Sequence, residues 1–173
     1  MHKSKLGNDR EKWRSVAVCA VVETRKKGET TIMKCLSKAA SAVMDRLTHG
    51  LSLGDHSKID HSGGTFMPVC VENIGQTELG PLYSVAHYYE QNGDLMRDPE
   101  MVFLKRNGKY YPVSFQQDGG LGFYQEAIEI QGCRVLRYYP PILDEQASFA
   151  AMWMKNIREQ QRLCSKRGEV LET

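Results

Sequence analysis

EMVFLKRNGKYYPVSFQ, residues 100–116, sets the architecture. Apolar-bearing runs at 100–106 and 109–116 flank Asn107-Gly108. That dipeptide is the strongest short-range hairpin signal, because a two-residue type I′ turn needs positive φ at both positions. Outward from it, 65–74, 82–90, 123–130 and 134–138 also read as short strands. Gln131-Gly132 marks a second tight connection, and Pro68 hints at an edge or a bulge within 65–74.

Helical periodicity flanks this β-rich middle. Ile32, Leu36, Ala39, Ala40, Val43, Met44 and Leu47 recur at helical spacing, between a Thr30-Thr31 start and Gly50. A last helix follows Pro140-Pro141, with Asp144 as N-cap and Phe149, Met152, Trp153, Asn156, Ile157 and Gln160 at helical spacing. Residues 10–27 carry an Asn8…Glu11 capping pattern and Gly28 at a stop position. Helix is favoured there, and a buried strand through the Val-rich run is the alternative. The fold class expected is α+β: an antiparallel sheet of five to six strands with N-terminal and C-terminal helices packed on it. The expected division is a basic extension over 1–29, one domain over 30–163 and a frayed tail over 164–173.

The chain has 173 residues, 25% of them charged, with a net charge of +2. These are ordinary values for one soluble domain. The longest apolar run, 16–22, falls well short of the roughly 18 residues of a membrane span. The N-terminal MHKSKLGNDREKW lacks the apolar segment of a secretory signal, so a cytoplasmic location is expected. Five scattered cysteines with no C-x-x-C pair fit a reducing compartment and exclude zinc-ribbon and thioredoxin-like readings.

The small net charge is a difference. Residues 1–44 hold ten Lys or Arg against four Asp or Glu, whereas 45–143 hold eight against twelve. Arg25, Lys26, Lys27, Lys34 and Lys38 are therefore candidate nucleic-acid contacts, with a solvated basic face as the plain alternative. The acidic middle is too weakly charged to imitate DNA by charge alone.

The densest polar run is HYYEQNGDLMRDPE, residues 87–100, read as a loop between two strands. Glu90, Asp94, Asp98 and Glu100 are weak catalytic candidates, as oxygen ligands for a hard cation, with His87 a possible base. Turn architecture and a structural histidine are the simpler readings. Tyr88, Tyr89, Asn92, Asp94 and Asp98 are candidate partner contacts, since amphipathic rings beside carboxylates suit an interface. Adjacent Tyr-Tyr pairs send one ring to each sheet face, so one of each pair is expected to be more exposed. No phosphate-binding glycine motif, nucleophile elbow or zinc spacing occurs, so neither cofactor nor metal is expected.

The strings KIDHSGGTFMPVCVENIG (58–75), YSVAHYYEQNGDLMRDPEMVFL (83–104), KYYPVSFQQDGGLGFYQEA (109–127) and SFAAMWMKNIREQQ (148–161) resemble an uncharacterised domain family. That family is carried by conjugative elements, phages and plasmids of Gram-positive bacteria. The resemblance spans 58–161 and transfers no catalytic role. It implies a small accessory protein of a mobile element. The leading expectation is a non-enzymatic anti-defence inhibitor, anti-CRISPR or anti-restriction, binding a host nuclease complex or its nucleic acid. The alternatives are a metal-dependent nucleic-acid-processing enzyme using the acidic 90–100 segment, and a DNA-binding accessory of element transfer.

Overall fold

Asn107 and Gly108 adopt φ of 50° and 70°, and Asn92 and Gly93 adopt 56° and 89°. Two Asn-Gly turns thus fold the middle of the chain into a three-stranded meander, each supplying the positive φ pair its tight turn requires. The computed structural model describes residues 33–163 throughout, and before them only the backbone of three short strands. These are β1 (Arg14–Ser15), β2 (Thr24–Lys26) and β3 (Glu29–Thr31). Helix α1 (Lys38–Leu47) follows, then β4 (His56–Ile59), β5 (Val69–Thr77), β6 (Gly80–Gln91), β7 (Asp94–Arg106), β8 (Lys109–Gln117), β9 (Phe123–Glu126), β10 (Ile128–Gln131), β11 (Arg134–Tyr138) and α2 (Pro140–Gln160). The fold is α+β, as its sequence pattern requires. Strands β4 to β9 form one six-stranded sheet in chain order, every neighbour antiparallel. β1, β11 and β10 form a smaller sheet, and β2 pairs with β3.

One face of the main sheet lies against both helices. Ala40, Val43, Met44 and Leu47 recur at i, i+3, i+4 and i+7 on α1 and are buried. They meet Val71, Val85, Met101, Phe103 and Tyr110 from the strands and Trp153, Met154 and Ile157 from α2. Burying each large apolar side chain contributes roughly 1.5–3 kcal/mol, so this layer supplies much of the folding free energy. On the other face, Leu104, Tyr111 and Val113 are covered by Ile128, Val135 and Tyr138 of the small sheet, with Met33 and Leu143. Gln161, fully buried beyond α2, accepts from the His61 backbone N–H at 2.8 Å and donates to the Met67 carbonyl at 3.1 Å, pinning the β4–β5 loop.

Several expectations are corrected. Residues 87–100 are not a loop: β6 and β7 run through them, because Asn92-Gly93 carries the same turn signal as Asn107-Gly108. The Thr30-Thr31 helix start gives way to strand β3, and α1 begins later, with Ser37 accepting from the Ala40 N–H at 3.2 Å. Within 10–27, the residues described are strands, where helix was favoured; the rest lies outside the described residues. Strand 65–74 starts only at Val69, leaving Pro68 in the loop, and β4 pairs beside it. The 123–130 run breaks at Ala127, whose N–H donates to the Val113 carbonyl while the chain crosses into the small sheet. Asp144 is not the N-cap: α2 starts at Pro140, where a missing N–H costs nothing in the first turn. Tyr110 and Tyr111 do point to opposite faces, but both are buried, since the sheet is covered on both sides there. The tail over 164–173 lies outside the described residues.

Candidate partner-binding face

The small sheet covers only part of the face away from the helices. Strand registry reads the remainder in rows. Glu72, Ser84, Val102, Ser114 and Glu126 lie side by side across β5 to β9, and Cys70, Ala86, Glu100, Gln116 and Tyr124 form the next row. Tyr88 and Arg97 stand beyond them. Side chains alternate along a strand, so these positions share one face. Its floor is made of small residues, Ser84, Ala86 and Ser114, and the longer side chains around them stand above it.

Arg97 organises this surface. Its Nε pairs with Glu100 Oε2 at 2.5 Å and its Nη1 with Asp118 Oδ2 at 3.1 Å. Ser84 Oγ donates to Glu100 Oε1 at 2.6 Å, and Gln116 Nε2 donates to Asp118 Oδ1 at 2.9 Å. The backbone closes the loop as well: the Arg97 N–H donates to Asp118 Oδ2, and the Asp118 N–H to the Arg97 carbonyl. The network ties the β8–β9 turn to the side of β7. The backbone N–H of Arg97 and the Gln116 amide, aided by the guanidinium, hold the Asp118 carboxyl below the usual range.

At this end of the sheet, large apolar side chains meet solvent. Leu95 is 68% exposed, Leu121 106%, Phe123 53% and Tyr124 61%. Leu95 follows the Asn92-Gly93 turn, and Leu121 sits on the turn that Asp118 fastens to β7. Phe123 lies on the helix side of β9 and starts an aromatic ladder through Phe115, Phe149 and Trp153 to His87, with centroids 5.2–6.1 Å apart. The anchored turn and ladder hold this rim in place. Phe66 and Met67 are also exposed, on the β4–β5 loop.

The residues singled out in the sequence are distributed as follows. Tyr88 lies on the open face, half-buried, and Tyr89 points to the opposite side. Asn92 forms the turn, Asp94 is exposed at the start of β7, and Glu90 is exposed near the end of β6. Asp98 faces away from Glu100 and accepts from Gln117 Nε2 at 2.5 Å. The four carboxylates are therefore not gathered, and among the described residues no group of three His, Cys, Asp or Glu side chains is placed to hold a metal ion. His87 is buried against Trp153 with Nδ1 2.9 Å from the Pro68 carbonyl, and burial pushes its pKa below the ordinary value. That is a structural histidine. Lys34 and Lys38 are exposed around the start of α1; Arg25 and Lys26 are in β2, and Lys27 lies outside the described residues.

Sequence reading missed the exposed Leu95, Leu121 and Phe123 as a group, and it missed a second polar cluster. On the helix side Tyr110 Oη donates to Asp45 Oδ1 and meets Thr48 Oγ1, both at 2.9 Å, while Lys105 Nζ pairs with Asp45 at 2.9 Å. Burial raises the Tyr110 hydroxyl, and the hydrogen bonds from Lys105 and Tyr110 outweigh desolvation to lower Asp45. Each group is thus held in its resting charge state. Cys70 is likewise raised by burial, the reverse of thiol activation. Among the described groups with a resolved shift, Glu126 alone moves toward neutrality, through burial and then Glu129.

No helix among the described residues is long and apolar enough to cross a membrane. No curated protein and no solved structure matches the chain. Residues 32–163 match the family model described as "Domain of unknown function (DUF6908)". The match takes in both helices, the whole six-stranded sheet and the 58–161 stretch whose strings carry the family resemblance, and the chain belongs to this family.

Proposed function

We propose that the protein is a non-enzymatic accessory of a mobile genetic element, an anti-defence inhibitor that binds a host nuclease complex. The observation that carries the reading is the exposed rim of Leu95, Leu121, Phe123 and Tyr124 beside the Arg97 network. Exposed apolar side chains bordered by polar ones are the anatomy of a protein contact. Aromatic anchors on a rigid support lose little conformational entropy on binding, which favours a stoichiometric inhibitor. The mobile-element setting comes from the family resemblance of the sequence strings.

The test is cleavage of DNA by purified restriction and CRISPR nucleases of the host, titrated with the full-length protein. Cleavage by one of them should fall to zero near molar equivalence. Unchanged cleavage across that set would refute the reading.

A further inference from the structure

The fold sorts charge that the sequence leaves dispersed. The exposed side of the helix layer presents Lys34, Lys38, Arg46, Lys155, Arg158 and Arg162, with Asp45, Asp144, Glu145 and Glu159 among them. The open sheet face presents Glu72, Glu90, Glu100, Asp118 and Glu126, with Lys58 and Arg97 as its cations. Arg97 is already committed to Glu100 and Asp118. Burial, then Glu129, raises the Glu126 carboxyl, against a smaller opposing effect of Arg137. Burial, then Glu100, raises the Tyr88 hydroxyl, against the opposing effect of Arg97. A cation brought onto this face is attracted by Glu72, Glu90 and Glu126, whereas a phosphate is repelled by them.

We infer that the partner meets this face with a basic protein surface, of the kind a nuclease turns toward nucleic acid, its cations on the carboxylates and its apolar side chains on Leu95, Leu121 and Tyr124. The inference rests on the binding reading above and names the chemistry of its partner. Charge complementarity of this kind raises the association rate and rejects like-charged surfaces, while the apolar rim slows dissociation. Occupying such a surface displaces nucleic acid from it, which gives inhibition without catalysis.

The experiment uses the full-length protein with three labelled probes, followed by fluorescence anisotropy: a short peptide of Lys and Leu, its counterpart with Glu in place of Lys, and a DNA duplex. The Lys peptide should bind at least about tenfold tighter than the Glu peptide, and added salt should weaken it. The triple variant Glu72→Gln, Glu90→Gln, Glu126→Gln should lose about tenfold in that affinity, with an unchanged circular dichroism spectrum. Equal affinity for the two peptides would overturn the inference, as would DNA binding that the triple variant weakens. Should the variant unfold, the peptide comparison and salt dependence of the wild type decide. Nuclease inhibition without any preference for the Lys peptide would remove this inference and leave the binding reading standing.

Discussion

Replacing Arg97 by Met keeps the apolar stem and removes the guanidinium that holds the β8–β9 turn. Arg97 is 39% exposed, and its partners Glu100 and Asp118 are each 19% exposed. An exposed ion pair contributes roughly 0.2–1 kcal/mol, and a shielded charge-assisted hydrogen bond roughly 1.5–3 kcal/mol. With one contact to each carboxylate and solvent screening of the partly exposed head group, the loss is about 1–2 kcal/mol. For a chain of this size that lowers Tm by about 2–8 °C. The backbone bonds between Arg97 and Asp118 survive the substitution, which keeps the fold intact. The folded pKa of Asp118 is depressed, so its contribution is present above the unfolded value of about 3.9 and is lost as pH falls through the lower folded value. The gap between wild type and variant should therefore be full at pH 7 and narrow below about pH 4. Urea unfolding at the two pH values measures it. An unchanged midpoint at pH 7, or a gap that persists undiminished in acid, would refute the argument that this cation holds the turn.

Gly80 has a φ of 145°, and a Cβ there would lie 2.0 Å from the Lys105 carbonyl oxygen, whereas a Cβ on Gly93 meets nothing within 4 Å. Gly80→Ala should cost more than about 3 kcal/mol and Gly93→Ala about 1 kcal/mol, compared by urea midpoints; equal costs would mean the β5–β6 turn does not press on β7. His87 is buried with its pKa lowered from 6.5, so folding favours the neutral ring and its contribution fades as pH falls below that value. Wild-type Tm should decline from pH 6.5 downward and His87→Gln should flatten the decline, as read by thermal scans.

The hairpin at Asn107-Gly108 was legible because unbroken apolar runs, Met101 to Leu104 and Tyr110 to Val113, flank it on strands buried on both faces. The identical signal at Asn92-Gly93 was obscured. There the side chains of β6 and β7 stay exposed or half-exposed, and the apolar run that marks a doubly covered strand disappears. α1 and α2 were legible from helical spacing, but their starts were set by Ser37 capping and by Pro140 in the first turn. Tyr88, Asn92 and Asp94 were picked from composition and belong to one hairpin, whereas Leu95, Leu121 and Phe123 look like core residues in one dimension. Their exposure depends on where the helices and the small sheet stop. The Asp45–Lys105–Tyr110 cluster joins positions 60 and 65 residues apart, beyond the reach of any local pattern.

In the proposed complex, the end of the sheet carrying Leu95 and Tyr124 engages a host nuclease. Size-exclusion chromatography with light scattering, on the inhibited nuclease mixed with wild type and with the double variant Leu95→Ser, Tyr124→Ser, tests it most directly. Both side chains are exposed, so the variant should keep the wild-type Tm. Wild type should form a stoichiometric complex with the nuclease, and the folded variant should elute apart from it, as this contact requires. Co-elution of the variant as tightly as wild type would contradict it.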